Sequence, residues 1–105
     1  MKIVYKAPGS GPRTMEILND LYLMQQLVDG FIETVRFDKN LILVCNEEGR
    51  LLELEKNTFG IYGRFFVCGD AGEEFRGLTA EEVKYVIKQI KRREKMDEEI
   101  SARAV

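Results

Sequence analysis

Two stretches of this chain are apolar at every position, residues 41–45 (Leu-Ile-Leu-Val-Cys) and 65–68 (Phe-Phe-Val-Cys). Strands with one wet face alternate apolar and polar residues, so unbroken runs this short predict central strands covered on both faces. Around them the pattern changes. Residues 2–6 (Lys-Ile-Val-Tyr-Lys) read as a first strand, with Ile3 and Tyr5 on one face. Residues 7–12 hold two prolines and two glycines and form a loop, since such a segment cannot sustain a ladder. Residues 13–18 are expected to return antiparallel as a second short strand.

Asn19 or Asp20 then caps a short helix with Leu21, Met24, Leu27 and Val28 at helical spacing. Asp29-Gly30 closes it, the glycine suiting a left-handed C-terminal position. Residues 31–37 are β-branched and aromatic, and Asp38-Lys39-Asn40 is their turn. After the first apolar run, Asn46-Glu47-Glu48-Gly49 separates it from Leu51 to Leu54. That spacing predicts a β-hairpin over 41–54, with glycine supplying a positive φ at the reversal. Residues 55–60 read as irregular, Gly63 marks a bulge before the second apolar strand, and residues 69–72 are loop.

The final element has the clearest start. Thr79-Ala80-Glu81-Glu82 is a capping box, and Val83, Val86, Ile87 and Ile90 follow as one apolar stripe. Beyond Ile90 the same face carries Glu94 and Asp97, so the helix is expected to lose its core contact there. The fold class is α+β. A mostly antiparallel sheet of four to six strands carries the short helix and the longer C-terminal helix packed on one face. Residues 1–90 form the single domain and 91–105 a solvated helical extension or tail.

Composition narrows the chemistry. The chain of 105 residues has 16 Lys/Arg against 18 Asp/Glu, a net charge of −2 that implies no polyanionic or membrane partner by bulk electrostatics. No apolar run is long enough for a membrane helix, and the first six residues lack a signal peptide's apolar block, so a cytoplasmic location is expected. Cys45 and Cys68 read as buried, reduced hydrophobes rather than a disulfide. Histidine is absent, which removes the commonest general base and metal ligand. Two cysteines without a C-x-x-C spacing cannot build a structural zinc site. No cofactor, metal or catalytic residue is expected, and the glycine loops match no nucleotide-binding fingerprint.

Two charge groups remain as candidates. Lys84, Lys88, Lys91 and Lys95 fall within about 60° on a helix of 3.6 residues per turn, a row able to neutralise phosphates. Glu47 and Glu48 at one turn, with Asp70, Glu73 and Glu74 at another, could imitate phosphate toward an arginine-lined channel.

A set of short matches carries a family resemblance: Asp29-Gly30-Phe31-Ile32-Glu33, Leu43 to Leu51 with its Asn-Glu-Glu-Gly centre, Asn57, Gly63, and Leu78-Thr79-Ala80-Glu81-Glu82. Over roughly residues 20–85 the chain resembles domain of unknown function 3846, a family of short proteins of phages, plasmids and conjugative elements. The resemblance implies a mobile-element accessory protein and carries over no catalytic residues. On that basis the expected function is binding of a host protein, such as a defence nuclease, in the manner of an anti-CRISPR inhibitor, through the acidic residues. The alternative is a nucleic-acid-binding accessory protein that uses the lysine row.

Overall fold

The computed structural model describes residues 1–103. Six strands and two helices follow in the order β1 (Lys2–Lys6), β2 (Arg13–Glu16), α1 (Leu21–Leu27), β3 (Ile32–Asp38), β4 (Leu41–Asn46), β5 (Phe65–Asp70), β6 (Phe75–Arg76) and α2 (Ala80–Arg103). The strands make one antiparallel sheet in the order β2-β1-β5-β4-β3, with β6 pairing the far end of β5. The chain is α+β, as its pattern predicts.

The side-chain period of two sorts the inner strands into two cores. Val4, Leu43, Cys45, Phe65 and Val67 face one way and pack with Val86 and Ile90 of α2. Ile3, Val44, Phe66 and Cys68 face the other way and pack with Met24 of α1 and Val28 at its C-terminal end. The two helices therefore cover opposite faces, where one shared face was expected. The reason lies in the runs themselves: strands apolar at every position require a cover on each side. The two buried cysteines are free and belong to different cores, so the sheet separates them. Burial pushes the Cys45 thiol up to about 11 and the Cys68 thiol up to about 12, which keeps both protonated and unreactive.

The hairpin predicted over 41–54 does not form. Both edges of β4 are occupied, by β3 on one side and β5 on the other, so no edge remains for a strand at 51–54. That segment winds through helix-like turns instead, with the Leu52 N–H donating to the Glu48 carbonyl (2.8 Å) and that of Leu54 to Gly49 (2.9 Å). Leu51 and Leu52 are 77% and 55% exposed, so their apolar pattern marks no buried face. Gly49 is needed for space rather than for φ: a Cβ there would sit 2.3 Å from the Tyr62 carbonyl oxygen. The same holds at Gly30, where a Cβ would meet the Asn46 side chain at 2.8 Å while Asp29 takes the left-handed conformation (φ 63). The ladder irregularity lies between Arg36 and Asp38, and Gly63 stands outside it, at φ 91 ahead of β5.

The expected loop at 69–72 starts later, because β5 runs through Asp70 and pairs with β6, a strand too short for the sequence to reveal. Asp70 ends β5 and Gly69 leaves room for the Arg76 guanidinium, whose Nη1 would lie 2.3 Å from a Cβ at that position. Arg76 reaches across to grip Glu82 in a bidentate pair, Nη1–Oε1 2.8 Å and Nη2–Oε2 3.0 Å. Glu82 also accepts from the Thr79 amide (2.9 Å), while Thr79 Oγ1 accepts from the Glu82 amide (3.1 Å). The predicted capping box is therefore welded to the sheet. At the other helix, Asp20 Oδ1 accepts from the Leu23 amide at 3.1 Å. Beyond Ile90, α2 continues without a break to Arg103, overhanging the sheet; Ala104 and Val105 of the expected tail lie outside the described residues.

Two outcomes follow. Gly49→Ala and Gly49→Asn should destabilise alike, by about 1–3 kcal/mol in urea melts, because the obstacle is a carbonyl oxygen. Recovery in the asparagine variant, which tolerates a left-handed backbone, would return the glycine's role to φ. The Arg76 guanidinium holds the Glu82 carboxyl at about 2, below its ordinary 4.5. A depressed folded-state value adds stability that is complete above pH 4.5 and lost as pH falls toward 2. Melts of wild type and Glu82→Gln should thus differ most above pH 4.5 and converge near pH 2.

Candidate functional site

Three charge systems can be placed on this frame. The first is the lysine row. Lys84, Lys88, Lys91 and Lys95 are all exposed, and with Arg92 they line one shallow groove on α2 beside Ile87. Their spacing of four, three and four residues keeps them on one face over about 16 Å of helix. None of the four forms an ion pair among the described residues. Arg93, on another side of the helix, is tied to Asp97 at 3.2 Å. The row expected from spacing alone is assembled as a continuous basic face.

The acidic set is not. Glu47 and Glu48 follow the end of β4, where Cys45 pairs with Phe65, whereas Asp70 lies beyond the other end of that ladder, where Leu41 pairs with Gly69. Asp70 lies level with Asn40, so seven residue steps along the strand direction, about 23 Å, separate it from Glu47. Asp70 is also spoken for. It accepts from Arg36 Nη1 and from the Gly72 amide, at 2.8 and 2.9 Å, and the Arg36 hydrogen bond leads in holding its carboxyl below the usual range. Glu73 and Glu74 are exposed next to it, beside the start of α1. The five carboxylates therefore form two separate surfaces.

The Asn-Glu-Glu-Gly segment divides its labour. Asn46 is 5% exposed; its Nδ2 donates to the Val28 carbonyl at the end of α1 (2.9 Å) and its Oδ1 accepts from the Glu48 amide (2.7 Å). With Gly49 packed on Tyr62, the two ends of the segment anchor the chain and only Glu47 and Glu48 meet solvent.

The third system was not foreseen from the residues. Lys6 occupies the face of β1 shared with Val4 and pairs across the ladder with Phe65, a core position, and it is 2% exposed. Its ammonium donates to the Ala7 carbonyl (2.9 Å) and to Asn57 Oδ1 (3.1 Å). Asn57 Nδ2 in turn donates to the carbonyls of Lys6 (3.0 Å) and Gly63 (2.8 Å), and its Oδ1 also accepts from the Thr58 amide (2.8 Å). The nearest carboxylate is Glu94 of α2, 3.9 Å from the ammonium. This node floors a cleft of about 490 Å³ between the overhanging end of α2 and the loops around Gly9 and Gly60. Glu94 takes the place on α2 that the apolar stripe vacates four residues after Ile90, so the helix exchanges apolar for polar contact there. A lysine on a core-facing strand position and a glutamate on a core-facing helix position were the available signals.

A smaller cavity of 210 Å³ lies between β3 and α2, walled by Phe37, Leu43, Phe59 and Ile61. Phe59 holds a left-handed backbone (φ 62) that a bulky residue rarely adopts, and its ring is wedged edge-on against Phe37 at 5.5 Å. At the rim Tyr85 donates to Asp38, which lowers the Asp38 carboxyl and raises the Tyr85 phenol. Among the described residues no cluster of three or more His, Cys, Asp or Glu could hold a metal ion, and no helix is long and apolar enough to cross a membrane.

No curated protein and no solved structure matches this chain. Its residues 1–91 match the family described as Domain of unknown function (DUF3846). That span takes in Asn46, Gly49, Lys6, Asn57 and the capping box, and ends where α2 leaves the sheet. With 91 of its 105 residues matched, the chain belongs to the DUF3846 family.

Proposed function

We propose that the protein is a non-catalytic binding module that engages the phosphate backbone of nucleic acid through the lysine face of α2. The observation that carries this reading is the row itself: Lys84, Lys88, Lys91 and Lys95 are exposed, aligned and unpaired among the described residues. Like charges so close repel one another, and a polyanion relieves that repulsion while releasing its own counterions. The helix is also held rigidly for the purpose. Its first turn is fixed by Thr79, Glu82 and Arg76, and its inner face by Val86 and Ile90 in the core.

The field is local, in keeping with a net charge of −2 for the whole chain. Glu98 and Glu99 flank the row one turn beyond Lys95, and Glu81 lies one turn before Lys84, both within a Debye length of about 8–10 Å. Lys88 and Lys91, with Arg92 beside them, are furthest from those carboxylates and make the strongest contacts. Tyr85 is the one aromatic near the row, so base stacking adds little and recognition is of the backbone, without sequence preference.

Fluorescence anisotropy with a labelled duplex and a labelled single strand tests this reading. Binding should weaken steeply with salt, log K falling against log salt with a slope of about −3 to −4 on the duplex for four phosphate contacts. Lys88→Ala or Lys91→Ala should reduce that slope by about 1, and Lys95→Ala by less. Absence of binding at low salt, or full binding by the quadruple Lys→Glu variant, would overturn the proposal.

A further inference from the structure

We propose that the cleft beneath the overhanging end of α2 binds a small oxyanion, a carboxylate or phosphate group, on the Lys6 ammonium, with the Thr58 hydroxyl as second donor. An ammonium carries three N–H donors. Two are used at hydrogen-bond distance, by the Ala7 carbonyl and by Asn57 Oδ1, and both acceptors are neutral. The third has no acceptor at hydrogen-bond distance among the described residues; the nearest charged group, the Glu94 carboxylate, stands 3.9 Å from the ammonium. A charge-assisted contact is normally about 2.7–2.9 Å, so the buried cation has a counter-charge nearby but not in contact. Burial makes that gap costly, and an oxyanion at contact distance would close it.

The surroundings suit such a guest. Thr58 is 5% exposed and borders the cleft; its hydroxyl reaches only Asn57 Oδ1, at 3.4 Å, so it can turn outward at small cost. Asn57 pins the Thr58 amide and the Lys6 carbonyl together, which fixes the two donors relative to one another. Gly9 and Gly60, both at positive φ, border the cleft with open space where a side chain would stand. Over the whole cleft the charges balance only when Lys6 is counted: Lys6, Lys56 and Arg93 against Glu94, Asp97 and Glu98, with Arg93 already held by Asp97. No bulk field draws anions in, and selectivity comes from the floor. Glu94, with a side chain 38% exposed on the helix surface, is the competitor that an entering anion displaces.

This site lies on a different side of α2 from the lysine row, so the two can be tested apart. The probes are acetate and inorganic phosphate, titrated into the isotopically labelled chain while the Thr58 amide and Asn57 side-chain amide signals are followed by NMR. Saturable shifts with either salt are expected, and the salt that saturates first distinguishes a carboxylate from a phosphate group. Glu94→Gln removes the competitor and should tighten binding roughly threefold, the size of a half-exposed ion pair. A residue that only braced the fold would show no such gain. Thr58→Val should weaken binding with the fold retained, and Lys6→Met should abolish it. Should Lys6→Met fail to fold, the Glu94→Gln and Thr58→Val arms still decide. No saturable shift in wild type and Glu94→Gln, or shifts that vanish when the four lysines of α2 are neutralised, would overturn the proposal.

Discussion

The rest of the molecule depends on one constraint: three inner strands, β1, β5 and β4, that are apolar on both faces. With Val4, Leu43, Phe65 and Val67 on one side and Ile3, Val44 and Phe66 on the other, either face left bare would expose side chains that each gain about 1.5–3 kcal/mol from burial. One layer of helix cannot satisfy such a sheet. The need for a second cover explains α1, whose seven residues are too few for a stable helix in isolation. It persists because Asp20 caps its start, Asn46 accepts the task of closing its end, and Met24 and Val28 fill the second core. The loops obey the same logic. Segment 47–54 is irregular because the strands beside β4 have already claimed both of its edges.

What was legible in the sequence is what local rules decide. The strand at Lys2–Lys6, the two central strands, the Asp20 cap and the Thr79–Glu82 box follow from short apolar runs and from side chains acting on neighbouring amides. What was not legible needed knowledge of distant neighbours. Leu51 and Leu52 look like strand residues until the occupancy of β4's edges is known. Gly49 and Gly30 look like φ-permissive residues, yet what they avoid are Tyr62 and Asn46, each more than ten positions away. The placement of both helices on one face was a failure of a different kind. The unbroken apolar runs already stated that both faces are covered, and a single helical layer contradicts them.

The same division governs the candidate sites. An exposed helical row needs only 100° per residue to be read, so Lys84, Lys88, Lys91 and Lys95 are where the spacing put them. A group drawn from two turns needs the path of the chain between them, and Glu47 and Glu48 end on a different surface from Asp70, Glu73 and Glu74. The Lys6–Asn57 node joins positions 51 residues apart, beyond any periodicity argument.

These features meet on α2, which carries three kinds of face in one continuous helix. Val86 and Ile90 bind it to the sheet, the lysines meet water beside that stripe, and Glu94 turns inward toward Lys6 where the apolar positions stop. The arrangement keeps the Glu94 carboxylate off the lysine row and near Lys6. Had the Glu94 side chain turned instead to Lys91, three residues before it, it would have quenched the row and left the Lys6 ammonium buried without a carboxylate. Facing inward, it does neither. The outward lysine row and the inward Lys6–Glu94 contact are therefore separate consequences of one helical register, set by the same 3.6-residue period that packs the core.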